Sequence, residues 1–67
     1  MADNQEFAYD ALMAKRGFQP SGLIDGNHYY FNASTKMQVM INVRNNVYCT
    51  MDAFGNRINT ENLDRKF

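Results

Sequence analysis

The rhythm of the apolar residues changes at Gly17, and that change limits the chain to few folds. Residues 4–16 fit a helical period. Beyond them, apolar side chains alternate along short segments split by turn dipeptides, as far as Ile58. The pattern predicts a small α+β domain, one N-terminal helix packed on a four- to five-stranded antiparallel meander sheet. Strands are expected near residues 22–25, 28–33, 37–44 and 47–52, with a short fifth strand after the turn at residues 53–56.

Local signals delimit the helix. Asp3 followed by Glu6 fits a capping pattern, in which each side chain bonds amides at the helix start. Phe7, Ala8, Ala11, Leu12 and the stem of Lys15 form one stripe at helical spacing. Lys15 and Arg16 suit the negative end of the helix dipole, and Gly17 suits the left-handed stop. Phe18 then folds back on the helix, Pro20 forbids continuation, and Ser21-Gly22 completes the linker.

Requiring one uniformly apolar face fixes an expected register. Asp25-Gly26-Asn27 is a tight turn. A loop of Ser34-Thr35-Lys36 pairs Ala33 with Met37, Phe31 with Val39, and Tyr29 with Ile41. A loop of Arg44-Asn45-Asn46, with Asn46 left-handed, pairs Val43 with Val47, Ile41 with Cys49, and Val39 with Met51. A two-residue loop there mixes the faces, and a slip of one residue exposes the whole set. The turn at Ala53-Phe54-Gly55-Asn56 sets Asp52 opposite Arg57 and Met51 opposite Ile58. Residues 60–67 read as a flexible tail or a short helical turn capped by Thr60, within a single domain of residues 1–67.

In that register Tyr29, Phe31, Met37, Val39, Ile41, Val43, Val47, Cys49 and Met51 lie beneath the helix, with Leu12 and Ile41 as core residues. The outer face then carries His28, Asn42 and Tyr48 in one row, Tyr30, Met40 and Thr50 in the next, and Asn32, Gln38 and Asp52 in a third. Tyr is enriched at interfaces because it supplies contact area at low entropy cost. It also suits any half-exposed strand. The expected partner-binding residues are therefore Tyr30 and Tyr48 as anchors, Met40 between them, His28 and Asn42 beside them, and Arg44 at the rim.

Composition narrows the chemistry. The chain has 67 residues, room for one small domain. Lysine plus arginine equals aspartate plus glutamate at seven each, so no basic excess marks a nucleic-acid partner. The single Cys49 makes no internal disulfide, which points to a reducing, cytoplasmic setting. No apolar run approaches the ~18 residues of a membrane span, and the N-terminus lacks signal-peptide features. His28 and Cys49 fall on opposite faces, so neither a metal site nor a Cys–His nucleophile is expected. The aspartates are scattered on turns and ends, and no glycines form a phosphate loop. No cofactor and no enzymatic activity are expected.

Two local resemblances exist. The helix, Gly17-Phe18, Pro20, Ile24, Asp25-Gly26 and His28 resemble the opening of some phage and plasmid primase-type replication proteins. Tyr29 stands where that family has a basic residue, and the family's later Gly-rich segment has no counterpart. Asp52-Ala-Phe-Gly-Asn-Arg57 is similar to the turn of YD-type β repeats, which implies a hairpin there.

The functional expectation is a small protein-binding module acting by stoichiometric contact, as a monomer or weak homodimer. Small neutral chains rich in Asn (nine here) are common among phage and mobile-element accessory products. Within that class an inhibitor of a host or defence complex is the sharpest reading. A nucleic-acid-binding accessory factor using sheet aromatics is the alternative, and a structural protein that associates through a strand edge is the third. Salt separates the first two, because phosphate binding weakens steeply as salt rises.

Overall fold

The computed structural model describes residues 8–67. Helix α1 spans Ala8–Lys15 and is followed by β1 (Gln19–Ile24), β2 (Asn27–Phe31), β3 (Gln38–Asn42), β4 (Val47–Met51) and β5 (Arg57–Asn62). A 3₁₀ turn, Leu63–Arg65, follows β5. The five strands form one sheet in chain order, each antiparallel to its neighbour. This is the α+β meander that the apolar rhythm predicts. The Asp3–Glu6 cap and Phe7 lie outside the described residues.

The helix ends as its sequence dictates. Gly17 takes φ 87°, the Phe18 amide donates to the Met13 carbonyl, and the Gly17 amide donates to the Ala14 carbonyl, each at 3.0 Å. That pair of bonds satisfies carbonyls the helix leaves open. A Cβ on residue 17 would also come within 3.1 Å of the Asn32 side-chain nitrogen. Asn32, the one buried polar residue among those described, ties this end to the sheet. Its Nδ2 donates to the Arg16 carbonyl at 3.4 Å.

The turns set the register, and here the structure corrects the sequence expectation. Asp25 (φ 51°) and Gly26 (φ 82°) make a two-residue turn with Asn27 already in β2. Both central residues are left-handed, as the favoured hairpin turn requires. The next two loops are each one residue longer than expected. Ala33–Lys36 connects Asn32 to Met37, whose carbonyl accepts from the Asn32 amide at 2.9 Å. Val43–Asn46 connects Asn42 to Val47. Each loop ends in a left-handed residue, Lys36 (φ 65°) or Asn46 (φ 58°). Each begins at an Asn whose Oδ1 accepts amides inside the loop: Ser34 at 2.9 Å and Thr35 at 3.1 Å for Asn32, Asn45 at 3.0 Å for Asn42. The Asn caps make the longer loops favourable.

Both ladders therefore shift by one residue. Tyr30 faces Val39, His28 faces Ile41, and Tyr29 faces Met40. Val39 faces Thr50, Met40 faces Cys49, and Ile41 faces Tyr48. The face assigned to β3 stands, with Val39 and Ile41 beneath the helix, but β2 and β4 are turned over. Tyr30 and Tyr48 are core residues, 1% and 4% exposed, and not outer anchors. Val43, expected in the core, is half exposed on its loop.

The core contains Met13, Tyr30, Val39, Ile41, Tyr48 and Leu63, with Tyr9 and Phe18 packed against it. The helix contributes Tyr9 and Met13, one turn apart, in place of the expected Ala8, Ala11 and Leu12 stripe, which is exposed. Burying Tyr30 is acceptable because its hydroxyl donates to Asp10 Oδ1 at 2.6 Å. Burial, then this bond and the nearby negative charge, hold the phenol well above its ordinary range.

The C-terminal segment is part of the fold rather than a loose tail. The Leu63 and Asp64 amides donate to the carbonyl and side-chain oxygen of Asn46, at 3.0 and 2.9 Å. Leu63 enters the core, and the Phe67 ring meets Tyr9 at 5.3 Å and Tyr48 at 5.9 Å. The Arg16 guanidinium lies 4.5 Å above Phe67, and Lys66 pairs with Glu61 at 3.1 Å.

In the last hairpin Asp52 accepts amides from Phe54 and Asn56 and the Asn56 side chain, and Gly55 (φ 87°) closes the loop. Met51 pairs with Arg57, and the ladder slips past Ile58. The bonds from the Asn56 backbone and side chain, with smaller contributions from Phe54 and Gly55, hold the Asp52 carboxyl below its ordinary range. A depressed carboxyl stabilises the fold above the unfolded pKa of ~3.9, and that contribution is lost as pH falls through the folded value. Asp52→Asn is therefore expected to flatten the acid limb of the stability curve below about pH 4, read by denaturant melts in a pH series. An unchanged acid limb would contradict this turn geometry.

Candidate binding face

Turning β2 and β4 over changes which side chains the helix leaves uncovered. Three cross-strand rows line the far side of the sheet. The middle row is Tyr29, Met40, Cys49 and Thr60, with Gly22 at the β1 edge. One flanking row is Gln19, Phe31, Gln38, Met51 and Arg57. The other is Ile24, Asn27, Asn42, Val47 and Asn62, in which the Asn42 side chain donates to Asn27 Oδ1 at 2.6 Å. The centre is apolar and aromatic, and the ends are amides and hydroxyls. Arg57 is the one charged residue that the register places on this face.

The face has relief. Tyr29, Phe31 and Met40 are half-buried, while Cys49 (1% exposed) and Met51 (9%) are recessed. The Thr60 hydroxyl lies 3.7 Å from the Cys49 sulfur. A depression of about 330 Å³ opens here, lined by Met40, Asn42, Val47, Cys49, Arg57 and Thr60 among others. Cys49 thus resists solvent under its row neighbours, not under the helix. Native-state labelling by a bulky thiol reagent is expected to be slow and to become fast only in denaturant. Fast native labelling would show that the neighbours do not cover it.

The expected site residues separate. Met40 and Asn42 lie on this face, two residues apart on β3. Tyr30, Tyr48 and His28 lie on the helix side, and Arg44 is exposed on the β3–β4 loop. Asn42 is committed at both ends, to Asn27 and to the loop amide of Asn45. The aromatics the face does present, Tyr29 and Phe31, were expected inside. Their signal in the sequence was the pair of Asn caps, which sets the loop lengths and hence the faces.

Other surfaces offer less. Both sheet edges carry irregularities, at Ser21 in β1 and Ile58 in β5, and Pro20 has no amide to donate. Such features discourage edge-to-edge pairing. Among the described residues no group of three or more His, Cys, Asp or Glu is placed to hold a metal. His28 and Cys49 lie on opposite faces of the sheet. None of the described helices is long and apolar enough to cross a membrane. No protein-family model, curated protein or solved structure matches this chain.

Proposed function

We propose that this protein is a non-enzymatic binding module whose contact surface is the sheet face opposite the helix. The observation that carries the reading is the character of that face. It presents Tyr29, Phe31 and Met40 half-buried at its centre, amides around them, and a single charge. Apolar, aromatic and Met-containing centres with polar rims are the composition of protein interfaces. Nucleic acid is disfavoured, because one of the seven basic residues lies on the face. Within this reading the protein acts by occupying a surface, as an inhibitor from a phage or mobile element does to a host or defence complex. The free Cys49 thiol fits a reducing, cytoplasmic setting.

The test is affinity capture from the native host with the parent and with Met40→Lys, at low and high salt. A protein partner held by the parent at both salt levels and lost by the variant supports the reading. Capture unaffected by Met40→Lys would move the site elsewhere. Capture that collapses with salt would favour nucleic acid.

A further inference from the structure

We propose that the sheet face opposite the helix, uncovered by the described residues, packs against the same face of a second copy, with the two-fold axis running along β3. This rests on that face being the binding surface. Shape is the first argument. β2 and β4 flank β3 on either side, and an axis along β3 sets β2 of one copy over β4 of the other. The half-exposed β2 rings then meet the recessed β4 positions: Tyr29 stands over the partner's Cys49, and Phe31 over the partner's Met51. Met40 meets its own copy on the axis. Raised side chains meet recessed ones twice, as an isologous interface demands.

Charge is the second argument. A face used by two copies of one chain must not repel itself, and among the described residues this one holds a single charged residue, Arg57. The same axis places the edge strand β5 over β1 of the partner, so Arg57 faces the partner's Gln19 rather than the partner's Arg57. An axis across the strands through the middle row would instead set β2 over β2, with the half-exposed Tyr29 rings of the two copies against each other and the recessed Cys49 positions facing one another. The axis along β3 is therefore the favourable one.

Area sets the strength. Five strands ~4.8 Å apart and about five residues long, at ~3.3 Å each, give a footprint on the order of 400 Å² per chain. Both copies together bury about 800 Å², below the ~1,200–2,000 Å² of stable interfaces, so the dimer is weak and reversible, not obligate. Aligned sheets pack ~10 Å apart at roughly −30°, which keeps the middle row in contact.

Sedimentation of the full chain from about 1 μM to about 1 mM tests this. A concentration-dependent dimer is expected, together with two changes. Met40→Lys puts two like charges on the axis and should weaken association at least tenfold, with melting unchanged because Met40 is outside the core. Gln19→Glu should tighten association several-fold through the partner's Arg57, and Gln19→Arg should weaken it. The Gln19 variants sit on an exposed edge, so they report even if residue 40 proves intolerant. A parent monomeric throughout, a dimer that survives Met40→Lys, or Gln19 variants without opposite effects would each overturn the proposal. A monomeric parent whose Met40→Lys variant still loses its captured partner would end the dimer alone and leave the binding face intact.

Discussion

Tyr30→Ala is expected to leave little folded protein at room temperature. Tyr30 is 1% exposed and among the largest fully buried side chains described, set between helix and sheet with Met13, Val39 and Ile41. Removing a buried aromatic ring costs about 3–5 kcal/mol, through lost transfer energy and the cavity left behind. A chain of 67 residues holds a total stability on the order of 3–10 kcal/mol. The loss is thus comparable with the whole. Tyr30→Phe separates the ring from the hydroxyl. It keeps the packing but leaves Asp10 without its donor, at a cost of about 0.5–1.5 kcal/mol. It also changes the alkaline limb. A phenol held above its ordinary range in the folded state gives stability that is complete below about pH 10 and lost as pH rises toward the folded value. Denaturant melts above pH 10 should show that loss in the parent and not in Tyr30→Phe. If Tyr30→Ala melted like the parent, the ring would not be in the core.

Leu63→Ala is expected to be nearly as damaging, at about 2–5 kcal/mol. Leu63 is 2% exposed and belongs to the same cluster as Met13 and Tyr48. Its amide donates to Asn46, so the side chain is held by a bond to the β3–β4 loop. Phe67 adds a second anchor, with Arg16 over its ring and the Lys66 carbonyl accepting from the Arg16 guanidinium at 3.2 Å. Its larger exposure makes Phe67→Ala milder. Thermal melts of both variants check the ranking, and a silent Leu63→Ala would mean that the C-terminal segment does not close the core.

The elements of the fold were legible, and its faces were not. The stop at Gly17, the hairpin at Asp25-Gly26, the left-handed Asn46 and the number of strands each follow from local chemistry that few residues can supply. Which side of β2 and β4 is buried depends on loop length. Tyr29-Tyr30-Phe31 and Val47-Tyr48-Cys49 are apolar on both sides, so alternation does not decide between them. The more uniformly apolar face is not the one the helix covers. Asn32 and Asn42 decide it, because each caps a four-residue loop. Tyr30 can then be buried because the Asp10 carboxylate accepts from its hydroxyl, a pairing between residues 20 apart that no local pattern reveals. The helix buries Met13, which packs in the cluster with Tyr30, and leaves Leu12 of the more regular stripe exposed. Leu63 and Phe67, one helical turn apart, were the available sign that the last residues pack down. Met40 and Asn42 lie on the expected side of β3, whereas Tyr30 and Tyr48 lie beneath the helix and Tyr29 and Phe31 take the outer face.

The most direct test of the uncovered face is an NMR measurement of which aromatic rings lie against Met13. With Met13 in the core, nuclear Overhauser contacts should run from its methyl to the rings of Tyr30 or Tyr48, and none should run from Tyr29 or Phe31. Contacts from Met13 to Phe31 or Tyr29, with Tyr30 and Tyr48 silent, would turn the sheet over. They would return the tyrosines to the surface and remove the binding face described for this protein.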